Sequence, residues 1–405
     1  MQDQYGNHVI AASSTALSAY ERAVDAQLHA WPGVQAALDE ALAESPDFAL
    51  AHGLHALVHA VHGRGAQARE VALRALALPG LMPRESSQLG LIAAMLHGRT
   101  VEALNLLLAH VRAYPTDVLA VSTGVGAYGL FAFSGRADHD AARLEFLEAL
   151  APHYPVEFPW LLANRGWARI ELGRVEEGLT MSQRAISLRP ANGHNAHIVM
   201  HGLYEAADPQ AALDFVTQWL RSYPDDAILW GHLHWHAALS HIALGQIDLA
   251  MQRLLGPIAS HLPRGFPFMG VPDIVSLLWR LGLLKVAALP WALAQQHVAK
   301  YFPQGSNVFG EIHCAMLAAA TRDTNALEAV QQRLQRLSDG GHAGAPVAQQ
   351  FALGLSALLN SDEATARAHL DACMQDRVRL GGSHAQRDVV ELTRNALRVP
   401  QAQMP

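Results

Sequence analysis

Cysteine is nearly absent from this chain. Only Cys314 and Cys373 occur, far apart, so neither a disulfide framework nor a cysteine-rich zinc site is available. Charge is scarce too, at 16% of residues, and the formal net charge of −7 carries no basic run. A nucleic-acid footprint needs clustered Lys and Arg, so that class of partner is excluded. No apolar run reaches the ~20 residues that span a bilayer. The opening Met-Gln-Asp-Gln-Tyr-Gly-Asn-His has no basic stretch ahead of a long apolar one, so no secretory leader is expected and a cytoplasmic location is. Period-2 alternation is missing, as are a P-loop, Gly-x-Ser-x-Gly and Gly-x-Gly-x-x-Gly. That removes extended β structure, nucleotide binding and serine hydrolysis from consideration.

What is abundant is apolar residues, at 51%, and histidine, at 23 copies in 405 residues. A chain this long and this apolar folds, and it exceeds one ordinary core, so several domains or a repeat array are expected. The histidines also make surface charge sensitive to pH near 6.5.

The repeat is visible directly. Gly-Arg follows an apolar helical stretch at Gly63-Arg64, Gly98-Arg99, Gly135-Arg136 and Gly173-Arg174, at intervals of 35, 37 and 38 residues, with a related Leu244-Gly245-Gln246. Amphipathic segments follow, several ending in proline at Pro115, Pro190 and Pro224. Glycine supplies a left-handed turn after helix A, and proline stops helix B because it cannot continue the ladder. A period near 34–38 with that punctuation predicts an all-α fold of tetratricopeptide-like helical hairpins, an α-solenoid whose A helices line a concave groove. From about residue 262 the punctuation changes. Pro263, Gly265, Pro267, Gly270 and Pro272 crowd together and read as a connection, with helical periodicity resuming over 276–293, 305–320, 326–337, 347–360 and 364–379. The expected division is a regular repeat region over 1–261 and a less regular helical region over 262–405.

Within the regular part, His197 and His201 form one His-x-x-x-His pair and His232 and His236 another, at matching places in consecutive repeats. Spacing of four puts both imidazoles of a pair on one helix face, the arrangement that offers two nitrogens to one cation. Two adjacent helices of this kind converge four imidazoles on a divalent metal, zinc or iron, with His313 as a further candidate ligand. Glu311, two positions before His313, reads as a general base or as a helix N-terminal acid. Gln386-Arg387-Asp388 follows a glycine turn with Ser383 as a candidate N-cap. Arg387 with Gln386 suits a substrate carboxylate, and Asp388 suits base or orienting work; an interhelical ion pair is the bland alternative. Asp273 reads as a helix N-cap after Pro272. His52, His55, His59 and His62 form a local third cluster, and Trp160, Trp219, Trp230 and Trp235 read as core.

Several strings resemble the tetratricopeptide repeat protein 38 family in order: His197-Ile-Val-Met-His201, His232-Leu-His-Trp-His236-Ala-Ala-Leu, Pro272-Asp273-Ile-Val, Glu311-Ile-His313, and the sharpest, Gly381-Gly382-Ser383-His384-Ala385-Gln386-Arg387-Asp388. The likeness is specific from about Phe158 onward. It implies a helical-repeat fold without a well-established activity, and His-x-x-x-His at both places, which leaves His194, His234 and His241 as weaker candidates. Two functions stay open: a metal-dependent, hydrolase-like protein acting on a small polar molecule, and a scaffold holding a peptide or partner in its groove. Neither oligomeric state nor substrate is readable.

Overall fold

The computed structural model describes residues 1–397. The described part is 71% helical, and its only extended pairing is an isolated bridge between Gln2 and His8. Successive helices pair as antiparallel hairpins. Ser14–Leu28 packs on Val34–Glu44, Ala49–Val61 on Gly65–Leu76, and Pro83–Leu96 on Thr100–Ala113. Pro159–Glu171 packs on Val175–Leu188, and Gly193–Glu205 on Pro209–Trp219. The fold class is an all-α, tetratricopeptide-like helical-hairpin solenoid.

The turn between the helices of a hairpin is chemically uniform. At Gly173 the chain turns left-handed, with φ of 78°. The Gly173 amide donates to the Ile170 carbonyl, and the Arg174 amide to the Arg169 carbonyl. This is the Schellman closure, which satisfies two orphan carbonyls of the first helix. The same pair of bonds recurs at Gly63, Gly98 and Gly245. It also recurs where no glycine marks it, at Ala207, Arg322 and Ser361, with φ of 54°, 55° and 59°. There the next residue is an aspartate, Asp208, Asp323 or Asp362, whose carboxylate caps the following helix.

Gly135 departs from the expectation. Val118–Gly124 is only seven residues long and is followed by irregular chain up to His139–Leu150, so Gly135-Arg136 does not join two full helices. The Gly135 carbonyl instead accepts from Arg379, and its α-carbon abuts the Gly344 backbone. The proline-rich stretch also differs from its reading as a connection. Pro267–Leu283 is one helix with Pro272 inside it, so Asp273 lies within that helix and is not its N-cap. Pro267 stands in its first turn, where the missing amide proton would have no intrahelical partner.

Contacts divide the chain into two compact units. The first comprises 1–131, 140–233 and 264–266; the second comprises 132–139, 234–263 and, among the described residues, 267–397. The boundary at 233/234 falls inside the Trp230–Ala243 helix. The first unit has an apolar core through Phe48, Leu54, Ile92, Leu107, Phe131 and Leu147. Its first and fifth hairpins also touch: the Tyr223 hydroxyl donates to Ala30 O at 2.6 Å and the Gly193 amide to His29 O at 2.8 Å. The second unit stacks Pro267–Leu283 on Trp291–Tyr301, Val308–Ala320 on Thr324–Asp339, and Ala345–Leu359 on Glu363–Gln375, and ends with His384–Ala396. No helix among the described residues is long and apolar enough to cross a membrane.

Candidate metal centre

The Gly193–Glu205 helix starts at Asn192, whose side chain accepts from the Asn195 amide, and the four-residue spacing within it puts His197 and His201 on one face. The helix seats closely on its neighbours because Gly202 has no Cβ. One there would meet Leu179 Cδ2 at 2.4 Å. The second pair lies one turn apart on Trp230–Ala243. His197, His201, His232 and His236 are 9%, 1%, 2% and 2% exposed, so water does little to solvate them.

The expected convergence is found. One ring nitrogen from each of the four histidines lies within 4.8 Å of all the others, and the group contains no carboxylate or thiol. His197 Nε2 is 2.8 Å from His201 Nε2 and 2.9 Å from His232 Nε2. A neutral ring nitrogen carries either one proton or one lone pair in its plane, so His197 Nε2 can hydrogen-bond well to one of these neighbours and not to both. These two spacings are close to those of nitrogens sharing one metal, which at metal–nitrogen lengths of about 2.0–2.1 Å lie about 2.9 Å apart at a right angle and about 3.3 Å at the tetrahedral angle.

Trp167 forms a wall of the cluster. Its ring meets His201 edge-to-face at a centroid distance of 4.5 Å and lies 6.1 Å from His197. The indole packs with Ile170 and Ile198 and is 2% exposed. The Arg143 guanidinium stands 5.5 Å from the ring centroid and is paired with Asp140 at 2.7 Å. The sequence reading passed over Trp167 and Arg143. No spacing rule links either to the histidine pairs, because the hairpin crossing alone brings Trp167 to them.

The remaining candidates have their own surroundings. His234 points away from the other histidines of its helix, with Nδ1 2.8 Å from Arg253, and His241 Nδ1 lies 2.8 Å from Gln246 Oε1. His313 is fully buried; its Nδ1 is 2.8 Å from Phe309 O, so Nδ1 carries the proton and Nε2 the lone pair, with no hydrogen-bond partner at Nε2. Burial pushes its pKa down to about 4 against the opposing Phe309 bond, with the Arg280 charge adding to the fall. Glu311 sits in the first turn of Val308–Ala320, its two oxygens each 2.9 Å from the Arg333 fork, and also accepts from the Ser306 amide. Ser383 caps the last helix as expected. Its amide and hydroxyl both donate to Gln386 Oε1, which closes a capping box. Arg387 Nη1 donates to Gly382 O, and Asp388 lies 3.4 Å from His384. His55 and His59 stack at 4.4 Å between centroids, outside the four-histidine group. Trp160 and Trp235 are buried, and Trp219 and Trp230 only partly.

No family model matches the sequence. Among solved structures the fold is similar to a monomeric mutant of IFIT1 with Gppp-AAAA, at 12% identity over 96% of this chain and 87% of that one, with a TM-score of 0.48. It is similar also to the apo form of RapI, at 8% identity over 81% and 97% of the two chains, with a TM-score of 0.39. At such identities no residue role transfers.

Proposed function

We propose that this chain is a metal-binding helical-repeat protein, a member of the tetratricopeptide repeat protein 38 family, whose His197, His201, His232 and His236 hold a divalent transition metal, zinc or iron. The observation that carries the reading is the approach of His201 Nε2 and His232 Nε2 to His197 Nε2, at 2.8 and 2.9 Å, within a group of four ring nitrogens. Nitrogen-only donors suit zinc, copper, iron and nickel rather than magnesium or calcium. Neutral imidazoles leave the full positive charge on the metal, and a metal in this state lowers the pKa of a bound water toward neutrality. The chemistry that follows is hydrolysis or hydration of a small polar molecule. His313 has the tautomer of a ligating histidine, with its other ring nitrogen donating to a backbone carbonyl, and is retained as a candidate nitrogen. Asp388 is the candidate base, and Arg387 with Gln386 the candidate substrate contacts. Glu311 is a weaker base because the Arg333 fork engages both its oxygens.

Metal analysis of untagged protein tests this directly. Wild type is expected to carry metal in simple stoichiometry, lost on chelation. His236→Ala collapses occupancy, while His234→Ala, whose side chain faces Arg253, retains it. Equal metal in all three proteins, or none in wild type, overturns the reading and leaves a repeat scaffold for a peptide or partner protein.

A further inference from the structure

We propose that Ser87 is an activated nucleophile that takes an acyl group from an activated ester, with His110 as its base and Asp117 as the residue that positions the base. This activity is independent of the metal reading above.

The three side chains form a continuous line within the first unit. Ser87 lies on Pro83–Leu96, His110 on Thr100–Ala113, and Asp117 caps Val118–Gly124. His110 Nδ1 is 3.0 Å from Ser87 Oγ, and His110 Nε2 is 3.1 Å from Asp117 Oδ2. Burial raises the pKa of Asp117, but the His110 bond and the Arg84 charge outweigh it and hold it at about 2. A carboxylate ionised at neutral pH only accepts, so in the neutral His110 ring the proton sits on Nε2. Nδ1 then carries the lone pair, and the Ser87 hydroxyl donates to it. Nucleophile, base and orienting carboxylate recur in this relation on unrelated folds, and geometry rather than a sequence motif identifies them. The chain lacks the Gly-x-Ser-x-Gly turn that presents a serine in one hydrolase fold; here a helix presents it.

Access is confined to the serine end. His110 and Asp117 are each 1% exposed, while Ser87 is only half-buried. Gly90 shares the face of Ser87 one turn on, and a Cβ there would meet nothing within 4 Å, which leaves room beside the hydroxyl for an acyl group. In the step itself, Ser87 Oγ bonds to the ester carbonyl carbon as its proton passes to His110 Nδ1. The bond from that carbon to the leaving oxygen breaks, and the leaving group takes the proton from Nδ1 and departs as an alcohol or phenol. Ser87 lies past the first turn of its helix, so its own amide is bonded within the helix and offers nothing to an oxyanion. The acyl donor must therefore carry a good leaving group, as an aryl ester does.

The test treats full-length protein with p-nitrophenyl acetate in the presence of a chelator, which removes any metal-bound hydroxide from the reaction. Wild type is expected to gain one acetyl group, placed on Ser87 by peptide mass mapping, a readout that does not depend on any variant folding. Its rate of acylation should rise with pH and level off as one group loses its proton. Ser87→Ala should lose the mapped acetyl group. His110→Gln should acylate Ser87 about a hundredfold more slowly, the ordinary value of a positioned base, and without the plateau in pH. Wild type with no acetyl group on Ser87, or His110→Gln that acylates Ser87 at the wild-type rate, overturns the proposal and leaves the metal reading intact. Ester hydrolysis that stops with the chelator and never modifies Ser87 overturns it too, and supports the metal reading instead.

Discussion

Single residues carry this protein's chemistry through burial. Asp117 is 1% exposed and accepts from Arg84 and Gln88, each at 2.7 Å, with His110 at 3.1 Å. Burial pushes its pKa up, but the bonds and charges of His110 and Arg84 outweigh that and hold it at about 2. The ordinary carboxylate value is about 3.9, so the unfolded chain binds the proton more readily than the folded one. The stability this adds is present above pH ~4 and disappears as pH falls toward 2. Denaturant midpoints measured from pH 6 to 2.5 should therefore fall, and Asp117→Asn should flatten the lower part of that curve. At pH 7 the same change should cost about 3 kcal/mol by leaving Arg84 short of a buried partner. A variant that keeps the wild-type slope would show that other carboxylates dominate acid unfolding.

At the scale of elements, the hairpin turn is the recurring unit, and its chemistry makes a quantitative prediction. Gly173 adopts φ of 78° without a Cβ to clash, whereas Ala207, Arg322 and Ser361 adopt similar angles with one. A non-glycine residue in the left-handed region costs about 1 kcal/mol or more. Ala207→Gly, Arg322→Gly and Ser361→Gly should each raise stability by up to about 1 kcal/mol, offset in part by glycine's greater freedom when unfolded. Gly173→Ala should lower it by a similar amount. Urea midpoints of the four single variants check this, and a destabilised Ala207→Gly would refute the account. Gly202 tests close packing instead. A Cβ 2.4 Å from Leu179 displaces the Gly193–Glu205 helix, so Gly202→Ala should reduce metal content although it supplies no ligating atom.

For the whole molecule the decisive quantity is linkage between metal and folding. A metal bound only by the folded chain stabilises it by about 2.7 kcal/mol when free metal is 100 times the dissociation constant. Chelation should lower the melting temperature of wild type and of His234→Ala, and leave His236→Ala unchanged. Because the ligands must be neutral, occupancy should also fall on acidification. Far-ultraviolet circular dichroism should remain strongly helical throughout, since the hairpins are closed by backbone bonds and apolar cores rather than by the metal. Loss of helix on chelation would make the centre structural.

Much of this was legible before any coordinates. Local rules suffice for the helical class, for the left-handed glycines at 63, 98, 173 and 245, and for the shared face within each histidine pair, because each depends on neighbours within about a turn. The turns at Ala207, Arg322 and Ser361 use a non-glycine residue and show only an aspartate cap, although the helices flanking Arg322 and Ser361 were expected from periodicity over 305–320, 326–337, 347–360 and 364–379. Gly135 misled for the opposite reason: its dipeptide fits the period, but a long-range contact with Arg379 and Gly344 takes it out of the repeat. Tertiary structure alone decided that His197 meets His232 across 35 residues and that Trp167 closes on both histidines of its neighbouring helix. Helix propensity and capping act along the chain, whereas the meeting of side chains is set by how helices cross, and crossing depends on the volumes packed between them.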